Sequence, residues 1–186
     1  MSSWDDFAKP FTKSNYMNTT TIGVFSTHKA AEDTIKELHA FGVSDSDLSY
    51  LYVDVNGEMK DNISNVATGT VAGATAGAVI GAVAGLVVAN VVLPGFGTVF
   101  VAGPLASALG ISGAAATAVA GAGAGLAAGG LLGGLSRMGV SDVDAAIYES
   151  LVRRGDVLVI ARSGNLVTKD VFTKGGATEV REYAIV

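Results

Sequence analysis

Hydrophobic and polar positions in the first third of the chain follow strand and helix periods in turn. The stretches TTIGVF (20–25) and LSYLYVDV (48–55) are rich in β-branched and aromatic side chains and predict two strands. Between them a Ser/Thr cap precedes apolar residues at helical spacing, and Gly42 follows as a stop signal. Asn56 and Gly57 mark a turn after the second strand. Residues 19–61 therefore predict a β-α-β unit.

The last part of the chain, 137–186, repeats this alternation. Ser141 and Asp144 have the spacing of a capping box and open a helix that Gly155 ends. A strongly apolar strand, DVLVIAR, comes next, then a weakly helical NLVTKDVFTKGG and a last strand, TEVREYAIV. Together the two parts have the element order of a ferredoxin-like βαββαβ fold. We therefore predict an α+β class, with a ferredoxin-like domain split into the halves 19–61 and 137–186.

The segment between these halves has a different character, since no Asp, Glu, Lys or Arg occurs from Asn62 to Ser136. It divides into arms 62–93 and 105–136, joined by PGFGTVFVAGP with breaks at Pro94 and Pro104. A helix of about 20 residues crosses the hydrocarbon core of a bilayer, and either arm is long enough. We predict a Gly/Ala-rich helical hairpin of membrane type over 62–136, which leaves and returns on one side of the membrane.

Both arms carry glycine at a spacing of four residues. Such a spacing keeps the glycines on one slowly drifting face of a helix and allows two helix backbones to approach closely in lipid. The predicted helix-packing residues are Gly69, Gly73, Gly77, Gly81 and Gly85 in the first arm, and Gly121, Gly125, Gly129 and Gly133 in the second. The predicted hairpin tip is Pro94, Gly95, Phe96, Gly97 and Pro104.

This pattern leaves alternatives open. The hairpin either spans the bilayer or stays embedded in it, and a water-soluble Gly/Ala hairpin buried between copies of the chain fits the same glycine spacing. A pore lined by zipper helices is a further alternative, with seven polar residues available to line it: Thr68, Thr70, Thr75, Asn90, Ser107, Ser112 and Thr117.

The first 18 residues form an arm with aromatic side chains. Trp4, Phe7 and Phe11 are spaced for one face of a short helix, which Pro10 limits to a turn or two. An aromatic arm of this kind sits at a membrane interface, packs on a neighbouring subunit or folds onto its own domain.

Composition narrows the function further. A formal charge of −5 and a pI near 4.9 argue against nucleic acid as a partner, and the chain contains no cysteine for disulfides or thiolate chemistry. His28 and His39, the only histidines, are too far apart on the first helix to bind one metal ion. No secretory signal or catalytic motif is recognisable, so we expect no enzyme activity, no cofactor and a soluble domain on the cytoplasmic side of a membrane.

The stretch TTIGVFSTHKAAEDTIKELHAFGVSDSDLSYLYVD (20–54) resembles the opening of bacterial general-stress proteins, some of them low-temperature-induced. One branch of that family has a glycine-zipper insert with a centre similar to PGFGTVFVAGP, followed by a helix and strand similar to Gly139–Glu149 and Gly155–Val159. The resemblance covers about 20–186. It implies an envelope or stress role without a defined reaction.

We therefore expect a membrane-embedded, self-associating protein whose partners are the lipid bilayer and other copies of itself. Its role would be to scaffold or remodel membrane under stress. The alternatives are an oligomeric pore and a membrane-anchored domain that senses a ligand.

Overall fold

A computed structural model describes residues 19–54, 81–83, 86–93, 97–109, 130–163 and 167–184. These residues form an α+β fold, as the sequence predicts. The strands are β1 (Thr19–Phe25), β2 (Leu48–Asp54), β3 (Gly81–Val83), β4 (Leu86–Leu93), β5 (Gly97–Ala102), β6 (Val157–Ala161) and β7 (Glu179–Ala184). The helices are α1 (His28–Ala40), α2 (Pro104–Ala108), α3 (Gly130–Ser136), α4 (Asp142–Arg153) and α5 (Val167–Lys174).

The ends of α1 and α4 lie where the capping signals place them. The Thr27 hydroxyl accepts a hydrogen bond from the Ala30 amide, and the Ser141 hydroxyl accepts one from the Asp144 amide. Each helix then stops before a glycine with positive φ, +83° at Gly42 and +99° at Gly155. Local sequence chemistry therefore determines both ends of these two helices.

The described strands form one sheet in the order β3-β4-β5-β2-β6-β1-β7, and every neighbouring pair is antiparallel. The four strands predicted from the sequence, β1, β2, β6 and β7, are therefore consecutive neighbours. Strands β5, β4 and β3 extend the sheet beyond β2, where the register pairs Asp54 with Thr98 and Tyr50 with Ala102.

The prediction of a helical hairpin is wrong for residues 81–83, 86–93 and 97–102, which are strands. Strand β4, LVVANVVL, has valine at four of eight positions, and β5 continues with TVFV. β-branched side chains lose conformational freedom in a helix and pack well on a pleated sheet. The glycine spacing has a helical period, but the density of valine favours strands here. Residues 62–80, 84–85, 94–96 and 110–129 of the predicted hairpin lie outside the described residues.

Helices cover both faces of the sheet, so the described core has two layers of side chains. On one face α1 and α5 pack over Phe25, Tyr50 and Phe100. On the other face α2, α3 and α4 pack over Ile22, Leu51 and Leu158. Strands β1, β2 and β6 are buried on both sides, which explains their nearly continuous apolar sequences.

Residues 130–136 of the predicted second arm are helical, in α3, and pack their buried Leu131 and Leu135 into the domain core. Among the helices in the described ranges, none is both long and apolar enough to cross a membrane.

Candidate functional site

The sequence-predicted site residues fall into two groups. Those that lie outside the described residues are Trp4, Phe7, Phe11, Gly69, Gly73, Gly77, Gly85, Pro94, Gly95, Phe96, Gly121, Gly125 and Gly129. The structure places the other four on separate elements: Gly81 in β3, Gly97 in β5, Pro104 at the first position of α2 and Gly133 in α3. It does not bring these four together into one helix-packing face.

Gly81 corrects the predicted helical stripe, because it pairs with Val88 in a β-ladder. Gly133 lies on a helix as predicted, but a Cβ added to it meets no atom within 4 Å. The close contact of α3 occurs at the next residue. A Cβ on Gly134 would lie 2.5 Å from Leu109 Cδ2 and 3.1 Å from Leu109 Cγ. The small residue that lets α3 approach its neighbour is therefore Gly134.

This contact holds together the two ends of segment 110–129. Leu109 is the C-cap of α2 and Gly130 begins α3, so the segment leaves and re-enters the domain at the packed pair α2–α3. The Arg137 guanidinium also donates to the Ala108 carbonyl at 2.9 Å. The charge-free stretch between these points is GISGAAATAVAGAGAGLAAG. Both its attachment points lie at the α2–α3 contact, which we call the α2–α3 base.

Segment 55–80 leaves and rejoins the domain at different levels of the same sheet. It begins after Asp54, which the register aligns with Thr98 and Val92. It ends at Gly81, which pairs with Val88, and Val88 aligns through Ala102 with Tyr50. The two attachment points are therefore four residues apart along the strand direction, with β4 and β5 between them.

The outer face of α4 exposes apolar side chains that the sequence interpretation did not single out. Val143 is 73% exposed and Ile147 is 39% exposed, and a spacing of four residues puts both on one face. We call this pair the α4 patch. The inward face of the same helix packs Ala145, Tyr148 and Val152 in the core. The (i, i+4) pair could have been found in the sequence, although the buried residues of α4 have the same spacing and mask it.

Two tyrosines connect α4 to the edge strand β7. The hydroxyls of Tyr148 and Tyr183 share a hydrogen bond of 2.9 Å, and their rings meet edge to face. Arg181 donates to the Asp144 carboxylate at 2.6 Å and also pairs with Glu179. Burial, together with the hydrogen bond between Tyr148 and Tyr183, raises the pKa of Tyr148 well above its ordinary value. These contacts hold the first turns of α4 against β7.

A second aromatic group lies on the opposite face of the sheet. His28 Nδ1 and the Tyr50 hydroxyl share a hydrogen bond of 2.6 Å, and the His28 ring stands edge-on to Tyr52 at 3.8 Å between centroids. Tyr52 in turn stacks on Phe100. Because Tyr50 is fully buried, its pKa is raised well above the ordinary value and the phenol stays neutral. This arrangement suits core packing better than acid–base chemistry.

The two histidines lie in different surroundings. His39 Nε2 lies 2.7 Å from the Asp45 carboxylate in the turn after α1, away from the His28 group. Within the ranges that the structure describes, no set of three or more His, Cys, Asp or Glu side chains is placed to hold a metal ion.

The buried tyrosines predict a loss of stability at high pH. The pKa values of Tyr50, Tyr148 and Tyr183 are all raised above 10, mainly by burial, so the unfolded chain releases these protons at lower pH than the folded one. Stability is therefore fully present below about pH 10 and falls above it, by about 1.4 kcal/mol per pH unit for a fully buried tyrosine that ionises only when unfolded, such as Tyr50. Urea unfolding between about pH 9 and 11 measures this slope.

The matched variant for this titration is Tyr50→Phe. It lowers stability at every pH because the His28 hydrogen bond is lost, but its stability should fall less steeply above pH 10. An unchanged slope in this variant would show that Tyr50 ionises equally in both states and would contradict the assignment.

Comparison with known proteins gives no relatives: no protein-family model, no curated protein and no solved structure matches the chain. The resemblance to general-stress proteins therefore stays a prediction from the residues.

Proposed function

We propose that the chain is a non-enzymatic, membrane-associated protein that assembles with copies of itself. The α+β domain would lie at the membrane surface, and the charge-free segments 62–80 and 110–129 would enter the lipid. The observation that carries this proposal is the distribution of charge. Every Lys, Arg, Asp and Glu lies outside 62–136, and the described domain takes up only residues 81–83, 86–93, 97–109 and 130–136 of that run.

The composition of the two remaining segments supports contact with lipid. A charged side chain at the centre of a bilayer costs about 2.5–3.5 kcal/mol even on the lowest scales, and these segments contain none. Both also carry glycine at a spacing of four, Gly69, Gly73 and Gly77 in one and Gly121, Gly125 and Gly129 in the other. Since lipid provides no hydrophobic reason for helices to associate, such close-packing surfaces are the usual basis of assembly within it.

The attachment points limit how deeply each segment can enter. Segment 110–129 leaves and returns at the α2–α3 pair, and 55–80 leaves after Asp54 and returns to the same sheet at Gly81. A single helical crossing needs about 20 residues, whereas a returning segment of this length has only about half of them for each direction. Two such half-length arms reach about 15 Å as helices, half of the hydrocarbon thickness. We therefore propose insertion from one side rather than two spanning helices.

We also propose that the α+β domain has a ferredoxin-like core. The sheet order β2-β6-β1-β7, with all pairs antiparallel, has the strand arrangement of that fold once β3–β5 and the helices α2 and α3 are treated as additions. The role in membrane scaffolding under stress rests on the resemblance alone. The pore alternative is weaker, because two of its seven lining candidates belong to the domain, Asn90 in β4 and Ser107 in α2.

Vesicle flotation tests the proposal. The full chain should float with phosphatidylcholine vesicles. The double variant Val79→Asp/Val119→Asp puts one charge in each segment and should reduce the floating fraction at least tenfold. A tenfold change corresponds to roughly 1.4 kcal/mol, and two charges in lipid cost well over that amount. Phe41→Asp, at the half-exposed C-cap of α1, is the control and should float like the natural chain.

Two results contradict the proposal. If the natural chain stays in the dense fraction, or if the charges at residues 79 and 119 leave flotation unchanged, lipid does not take up these segments. Sedimentation in detergent tests self-association, and a single species at the monomer mass of 18.6 kDa would refute that part.

A further inference from the structure

The α4 patch lies close to the place where the N-terminal arm joins the domain. The chain enters β1 at Thr19, and Thr20 pairs with Tyr183 on β7. The Tyr183 hydroxyl is hydrogen-bonded to that of Tyr148, the residue that follows Ile147 on α4. One cross-strand pair and one side-chain contact thus connect the end of the arm to the patch.

A second contact brings the start of β1 close to the start of α4. The Thr20 hydroxyl donates to the Met138 carbonyl at 3.0 Å. Val143 follows Met138 by five residues, so it lies within about 18 Å of this contact along the chain. Ile22 and Val24 of β1 also belong to the core beneath α4.

We propose that the aromatic arm, residues 1–18, packs Trp4, Phe7 and Phe11 against the α4 patch of its own domain. The eight residues from Phe11 to Thr19 reach about 26 Å when extended, more than the separation requires. An arm tethered this closely is present at an effective concentration in the millimolar range, which favours its own domain over a second copy. This inference does not depend on lipid binding by the charge-free segments.

Charge does not decide this contact. Lys9 and Lys13 stand on either side of Phe11 in the sequence, but Asp5 and Asp6 lie between Trp4 and Phe7, so the charged side chains of the arm cancel. The first turn of α4 carries the carboxylates of Asp142 and Asp144, and that of Asp144 already pairs with Arg181. The packing therefore rests on the apolar side chains and on the short tether.

The fluorescence of Trp4 tests this packing directly, because it is the only tryptophan in the chain. In the natural protein, without lipid, its emission should be blue-shifted and protected from acrylamide. In the double variant Val143→Asp/Ile147→Asp, the emission maximum and the acrylamide quenching of Trp4 should match those of the urea-unfolded variant, in which Trp4 is fully exposed. The control is Phe41→Asp, an apolar residue that is 50% exposed at the C-cap of α1, on the other side of the sheet, and it should leave the emission of Trp4 unchanged.

A cross-link gives an independent measurement that does not rely on the aspartates. The chain has no cysteine, so Phe7→Cys/Ile147→Cys introduces the only pair. Mild oxidation should close it within one chain, whereas Phe7→Cys/Phe41→Cys should stay reduced.

Four results would overturn the proposal. They are a Trp4 that is already fully exposed in the natural protein, emission that the α4 variants leave unchanged, protection that disappears on dilution and protection that requires vesicles. The third would assign the arm to a second copy and the fourth to lipid.

Discussion

Replacement of Gly103 by alanine should destabilise the domain by at least about 4 kcal/mol, the largest effect that we expect from a single methyl group here. Gly103 lies between β5 and α2 with φ +72° and ψ −157°, a backbone region that is essentially restricted to glycine. A Cβ at this position would overlap the carbonyl oxygen of Leu48 and lie 2.9 Å from its carbonyl carbon. Because Leu48 begins the central strand β2, neither backbone can move without breaking the sheet.

The cost of this substitution has two parts, and Gly42 separates them. Gly42 has φ +83°, but a Cβ there meets no atom within 4 Å. Gly42→Ala should therefore cost only the left-handed conformation, about 1–2 kcal/mol, and the excess in Gly103→Ala measures the clash with Leu48 together with the additional backbone strain at ψ −157°. The free energy of unfolding in urea gives both values. Equal losses in the two variants would contradict the close approach at Leu48.

The position of Gly103 shows where sequence interpretation fails. The glycine and proline positions of PGFGTVFVAGP predict the tip of a membrane hairpin, but residues 97–102 form strand β5 and Pro104 opens α2. Pro104 fits the first position of α2, where no amide donor is needed, and Gly103 before it forms the turn between β5 and α2. The same residues are compatible with a membrane turn and with a sheet-to-helix corner, and only pairing with β2 and β4 distinguishes them.

The remaining elements are predictable because their signals are local. Helix α1 has its hydroxyl cap at Thr27 and its glycine stop at Gly42, and β6 is an uninterrupted apolar run. Strands β4 and β5 have equally local signals in their valines, but the absence of charge and the spacing of the glycines favour helices. An apolar run without charge does not reveal whether lipid or protein covers it.

The candidate site is predictable only in outline. The charge-free run and the aromatic arm can be read directly from the sequence, whereas the α4 patch depends on which face of α4 meets the sheet. Val143 and Ala145 are both apolar, but only Ala145 is buried. That difference comes from the contacts of α4 with β7, through Tyr148 with Tyr183 and Asp144 with Arg181, and β7 is far from α4 in the sequence.

Replacement of Gly134 by leucine should destabilise the α2–α3 base by about 2–4 kcal/mol and loosen both ends of segment 110–129. A Cβ at Gly134 lies 2.5 Å from Leu109 Cδ2, which already requires that side chain to move. The rest of a leucine side chain would meet Leu109 and Leu105, which are both buried, and overpacking of a closed core costs about 1–3 kcal/mol even for smaller additions. Hydrogen exchange at the amides of Leu109 and Arg137 reports the loss locally.

Gly133→Leu is the matched control, since it adds the same side chain one residue earlier on the same helix. A Cβ at Gly133 meets nothing within 4 Å, so this variant should keep the α2–α3 contact and gain about 1 kcal/mol from the better helix propensity of leucine. The glycine that belongs to the four-residue stripe is Gly133, and the glycine in close contact is Gly134. If Gly133→Leu is the more damaging variant, the glycines at a spacing of four pack against a partner. The close contact between Gly134 and Leu109 would then not be what stabilises the α2–α3 base.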